Sequence, residues 1–147
     1  MTKPLRVLIL CTGNSARSQM AEGLLRHLGG ETVEVHSAGT RPQPAVHPLA
    51  IATMRDRFGI DIAAQVPKTV DRFLDRPLDY VITVCDSAAE DCPVFPAGPT
   101  RLHWSFPDPA AVRGTPDEQR HAFEQVASDI AASLEDWLAA SGVPRKE

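Results

Sequence analysis

The chain reads as an α/β protein built on a parallel sheet with helices on both faces. Two observations lead to this class. Short, nearly continuous apolar runs alternate with longer stretches of helical periodicity. Two of those runs also break directly into a cysteine, at the carboxyl edge of a strand where open parallel sheets bind their ligands.

The elements follow in order. Leu5 to Leu10 (LRVLIL) is a continuous run of strand-forming residues, as expected for a strand covered on both sides. It breaks at Cys11-Thr12-Gly13-Asn14, and a helix is expected from about Ser15 to Ser18, with Met20, Leu24, Leu25 and Leu28 at helical spacing and Gly29-Gly30 as its stop. Val33 to His36 predicts a second strand, followed by a turn at Ser37-Ala38-Gly39-Thr40. His47-Pro48 opens a second helix carrying Leu49, Ala52, Met54 and Phe58, and Gly59 closes it. Tyr80 to Val84 is the third strand and Arg101 to Trp104 a short fourth. Between Cys85 and Cys92, the residues Asp86-Ser87-Ala88-Ala89-Glu90-Asp91 favour a short helix, capped by Asp86 or Ser87 and stopped by Pro93. Phe123, Val126, Ile130, Leu134 and Leu138 keep a helical period from Pro116 to Ala140.

Composition narrows the function. With 147 residues, one globular domain spanning 1–147 is expected. At 43% hydrophobic and 23% charged the chain is near the average for folded soluble proteins. A net charge of -4, with scattered Lys and Arg, argues against nucleic acid or a membrane surface as partner. The basic start before VLIL is too short for the roughly 7–15-residue core of a signal peptide, so a cytoplasmic protein is expected. Three cysteines are an odd number, which disfavours a disulfide framework and favours reactive or metal-binding thiols.

The segment Cys11-Thr12-Gly13-Asn14-Ser15-Ala16-Arg17-Ser18 joins the first strand to a helix. Backbone N–H groups converging there, with the helix dipole behind them, would hold a tetrahedral oxyanion. Gly13 and Asn14 tolerate left-handed backbone, which turns successive amides toward one centre. Arg17 brings a planar fork suited to two anion oxygens. The same positive surroundings should lower the Cys11 pKa and make it a thiolate, and Ser18 is placed to donate to the sulfur. Zinc fits poorly. The six residues between Cys85 and Cys92 exceed the spacing of common knuckles, and His103 would be a lone imidazole partner. His36, His47 and His103 are expected to be structural, and no metal or cofactor is expected.

CTGNSARS resembles the signature loop of the low-molecular-weight tyrosine phosphatase superfamily. With VCDSAAEDCP and HWSFPDPA downstream, the whole chain is similar to the arsenate reductases of that fold, the group usually regenerated by thioredoxin. The resemblance implies a three-layer, four-stranded parallel sheet of flavodoxin-like order. It implies Asp108 as general acid, arsenate as substrate and thioredoxin as electron donor to what is expected to be a monomer. It also raises Glu22 and Ser37, with Asn14, as supports for the loop or for a monovalent cation.

Reductase and phosphatase begin alike, with thiolate attack and protonation of the leaving oxygen. A phosphatase then hydrolyses its adduct, whereas a reductase needs a second thiol. Many phosphatases of this superfamily carry a second cysteine where this chain has Ala16. Here Cys85 is the natural attacker on Cys11, and Cys92 can then take Cys85 into an outward disulfide. Arsenate reduction is therefore the expected activity, and hydrolysis of aryl phosphates or phosphotyrosine the alternative.

Overall fold

The computed structural model describes residues 3–96 and 98–141. Four strands form a single parallel sheet in the order β2-β1-β3-β4: β1 (Leu5–Cys11), β2 (Val33–Gly39), β3 (Tyr80–Thr83) and β4 (Thr100–His103). This is the expected flavodoxin-like order. Four helices accompany it: α1 (Arg17–Gly29), α2 (Pro48–Phe58), α3 (Asp86–Glu90) and α4 (Pro116–Ser141).

β1 is the axis of the core. Val7, Leu8, Ile9 and Leu10 are all fully buried, so successive side chains are covered on both faces of the sheet. Met20, Leu24 and Leu25 of α1, Met54 of α2 and Phe123, Ile130, Leu134 and Leu138 of α4 complete that core. α2 begins as its sequence predicts. His47 Nδ1 accepts from Leu49 N–H, Pro48 takes the first turn, and Gly59 ends the helix at φ 65°.

Two boundaries differ from expectation in a way that matters for the site. β2 does not end at His36 but runs on through Ser37, Ala38 and Gly39, which pair in register with Ile9, Leu10 and Cys11. Small polar residues that read locally as a turn are held extended by the neighbouring strand, a tertiary effect on a weak local preference. β4 is shifted to Thr100–His103, one residue earlier than expected. The short helix α3 is present, but its N-cap is Cys85 rather than Asp86 or Ser87, and it makes no side-chain cap.

Gly39 shows why β2 must extend. A Cβ there would lie 2.5 Å from the Thr12 carbonyl oxygen and 3.0 Å from Asn14 Cβ. The end of β2 is thus pressed against the loop after β1, and only a residue without a side chain fits. Gly39→Ala should destabilise the protein by about 1–3 kcal/mol, the usual cost of overpacking. Urea unfolding of the two forms measures this, and an unchanged midpoint would mean that the loop yields freely.

Candidate active site

Residues 11–18 wrap around one point because their carbonyls all find partners on the outside. The Cys11, Thr12, Gly13 and Ser15 oxygens accept from the backbone N–H groups of Thr40, Arg41, Gln43 and His47 at 2.8–3.1 Å. The Asn14 oxygen accepts from Gln19 Nε2, and the Ala16 oxygen from Met20 N–H. Within a single loop, carbonyls facing outward leave the amides facing inward. Among the described residues, the N–H groups of residues 13–17 have no protein acceptor. They border a cavity of about 730 Å³ whose wall includes Cys11, Arg17, Arg41, Gln43, His47 and Asp108. Unpaired convergent donors at the start of a helix make an anion site.

Asn14 sets the turn. It is fully buried and has φ 51°, the left-handed conformation expected for it. Gly13 does not share that conformation. Its lack of a side chain serves a close approach instead, since a Cβ would meet Gln43 Cγ at 3.1 Å.

The Asn14 side chain is saturated. Its amide donates to Ser18 Oγ at 2.7 Å and to Ser37 Oγ at 3.0 Å, and its Oδ1 accepts from Lys68 N–H at 2.9 Å. Ser18, expected to donate to the Cys11 sulfur, accepts from Asn14, and among the described bonds none joins it to that sulfur. From Ser37 the chain of bonds continues to Glu22 Oε1 at 2.7 Å. Glu22 Oε2 accepts from Arg26 at 2.7 Å, and Lys68 Nζ stands 3.9 Å from Oε1. Asn14, Glu22 and Ser37 are therefore brought together, but they do not fit a monovalent cation. Every oxygen that would coordinate one is already engaged, and two side-chain cations balance the buried carboxylate. Burial pushes the Lys68 pKa down, while Glu22 pulls it the other way.

Cys11 stands at the end of β1, only 4% exposed, with its sulfur 3.5 Å from Cys85, itself 5% exposed just beyond β3 at the N-cap of α3. Thr12 Oγ1 also touches Cys85 Sγ, at 3.3 Å. Two thiolates cannot sit so close in a buried site, so the pair shares a proton. The hydrogen bond shared with Cys85, then burial, hold the Cys11 thiol above its ordinary pKa, against Arg17 and the Thr12 N–H. The same bond, aided by Thr12 and the Ala88 backbone and opposed by burial, brings Cys85 down to about 5. The two thiols therefore titrate as one unit with a single proton between them, a coupling that the spacing within the loop does not predict. The neighbour that decides the matter lies 74 positions away in sequence.

Arg17 and Asp108 close the other side. Arg17 Nη1 donates to the Phe106 oxygen at 2.9 Å, and Nη2 lies 3.9 Å from Asp108 Oδ2. Asp108 Oδ1 caps the turn Pro109–Ala111 by accepting from Ala110 N–H. The guanidinium thus positions the loop that carries Asp108 as well as facing the anion cavity. Cys92 lies apart, half-buried in a separate small cavity with Ala89, Arg101 and His103, and burial pushes its pKa up. Between it and Cys85 stands α3, whose Asp86 is bonded to His103 at 2.8 Å, with His103 in turn on Thr83 at 2.7 Å. His103 thus bridges β3 and α3, and His47 caps α2. His47 also lines the anion cavity, which sequence reasoning missed. Among the described residues no three His, Cys, Asp or Glu side chains group to hold a metal.

Fold and site together define a cysteine-based enzyme class for tetrahedral oxyanions. Residues 6–146 match the low molecular weight phosphotyrosine protein phosphatase family, and the chain belongs to it. An arsenate reductase from Halalkalibacterium halodurans is 40% identical over 131 residues, covering 89% of this chain and 93% of that protein. The solved structure of an arsenate reductase in its phosphate-binding state is 31% identical with a TM-score of 0.77, covering 92% of this chain and 98% of that one. The Corynebacterium glutamicum thioredoxin-dependent arsenate reductase is 31% identical with a TM-score of 0.63, covering 92% of this chain and 64% of that one.

One thiolate per molecule should be present at neutral pH. A group whose folded pKa is lowered stays charged until the pH falls through that value, so ultraviolet thiolate absorbance should disappear through about pH 5. No second thiolate should form near neutrality, because Cys11 and Cys92 are both raised. Absorbance that is flat across this acid range would contradict the charge assignment.

Proposed function

We propose that the protein reduces arsenate to arsenite, with Cys11 as nucleophile, Cys85 and Cys92 as the relay, and thioredoxin as the electron donor. The observation that carries this reading is the 3.5 Å contact between Cys11 and Cys85 beside an anion loop. A second thiol within bonding reach of the nucleophile is what separates reduction from hydrolysis.

The steps follow from the arrangement. Arsenate binds the inward amides of residues 12–18 and Arg17. Proton transfer across the contact leaves Cys11 as thiolate, and its sulfur attacks arsenic while Asp108 protonates the departing oxygen, which leaves as water. Cys85 then attacks the Cys11 sulfur. The sulfur–arsenic bond breaks with its electron pair going to arsenic, which falls from the +5 to the +3 state. The proton from Cys85 passes to an arsenite oxygen. Cys92 next attacks Cys85, releasing Cys11 and leaving a Cys85–Cys92 disulfide for thioredoxin.

That last exchange requires motion. At the helical rise, seven residues separate the Cys85 and Cys92 α-carbons by about 10 Å. A disulfide needs them within about 7 Å. α3 has only five residues, and its cost of melting should be small. Hydrogen exchange should show residues 86–92 less protected in the oxidised form than in the reduced form. Equal protection in both would mean that the relay operates without unwinding.

Hydrolysis of aryl phosphates fits the same loop as a side activity, since the cavity of about 730 Å³ has room for more than an arsenate ion. The reading also takes residues 1–147 as one domain, acting as a monomer in the cytoplasm, where thiols stay reduced. No described helix is long and apolar enough to cross a membrane.

The division of labour is tested by substitution. Cys11→Ser should abolish both arsenate reduction and aryl phosphate hydrolysis. Cys85→Ser and Cys92→Ser should lose arsenate turnover with thioredoxin yet keep hydrolysis. A parallel loss of both activities in folded Cys85 and Cys92 variants would make those cysteines structural. Asp108→Asn should slow the first chemical step by about 100- to 10,000-fold, measured in a single turnover. An unchanged rate would move the acid role to another group.

A further inference from the structure

The reduced Cys11–Cys85 pair has a property that the relay does not use. Two sulfurs 3.5 Å apart, both buried, one at the end of β1 and the other at the N-cap of α3, form a preset bite. A thiophilic centre bonding each sulfur at about 2.3 Å with a near-tetrahedral angle places the two sulfurs about 3.5–3.8 Å apart. Soft thiolate ligands select soft centres. Cys11 lines the anion cavity, so one sulfur is reached from solvent and its partner stands directly beside it.

We propose that the fully reduced Cys11–Cys85 pair is a binding site for trivalent arsenic, taking arsenite or a monosubstituted organoarsenical as a cyclic dithiolate. Two arsenic–oxygen bonds break and two arsenic–sulfur bonds form. One proton comes from the pair and one from the solvent, and the two oxygens leave as two waters. Arsenic stays in the +3 state, so no oxidant or reductant is consumed.

The order of the relay confines this capture to one redox form. Arsenite is released as the Cys11–Cys85 disulfide forms, when both sulfurs are occupied. When Cys92 then engages Cys85, only Cys11 is free. Product can therefore leave during turnover and bind only the fully reduced enzyme, which is the form that also binds arsenate. Trivalent arsenic should compete with arsenate and not with thioredoxin. The link to product rests on the reductase reading; the capture itself does not.

Phenylarsine oxide is a suitable probe. One equivalent is added to the reduced full-length protein, a monothiol competitor is applied and removed, and remaining thiols are counted. The three free thiols of the wild-type chain should fall to one, with an intact mass increased by one phenylarsenic group less two hydrogens. Cys92→Ser should fall from two to none. Cys11→Ser and Cys85→Ser should each keep both remaining thiols, and Cys85→Ala should repeat the second result with a different side chain. Three thiols surviving in the wild type would overturn the proposal. So would loss of both thiols in Cys11→Ser, which would place the site on Cys85 and Cys92. Capture without arsenate turnover would sink the reductase reading alone, and turnover without capture would sink this proposal alone.

Discussion

The site depends on one buried side chain, Asn14, and on the reversal of the chain that it stabilises. A left-handed, fully buried asparagine is costly unless each of its polar atoms is satisfied. Here the amide holds Ser18 and Ser37, and the oxygen holds the Lys68 N–H. The loop can then turn its carbonyls outward to residues 40–47 and its amides inward. The anchor runs on through Ser37 to Glu22, whose charge is met by Arg26 and Lys68. The charged end of this network lies away from the cavity, so it fixes the loop's shape without competing for the anion.

Upon this frame sits a thiol pair whose chemistry neither cysteine would have alone. Arg17 and the loop amides favour charge on Cys11, whereas Cys85 and burial oppose it. One shared proton resolves the conflict by leaving a single negative charge between the two sulfurs. Cys92 stands apart from this pair, half-buried beyond α3 in a small cavity of its own.

A single loop design therefore supports two outcomes. Amides, arginine and a carboxyl group bring a tetrahedral anion to a cysteine in either case, and what stands behind the sulfur decides its fate. Water there would give hydrolysis; in this chain Cys85 stands there.

Much of this was legible in the chain. Apolar runs marked β1 and β3, capping and glycine signals marked α2, and the segment from Cys11 to Ser18 declared an anion loop, because these are local matters of side-chain period and backbone preference. The extension of β2 through Gly39 was not legible, since Ser37 and Ala38 are held extended only by pairing with β1. Nor was the role of Gly13, which answers to Gln43 across the cavity rather than to its own backbone. Lys68 as counter-charge to Glu22 gave no signal in a scattered set of lysines. Above all, the coupling of Cys11 to Cys85 was not legible: the loop's spacing predicts a lowered Cys11 pKa, but the fold brings the Cys85 sulfur within 3.5 Å. A pKa is set by distances through space, and those distances exist only after the strands have paired.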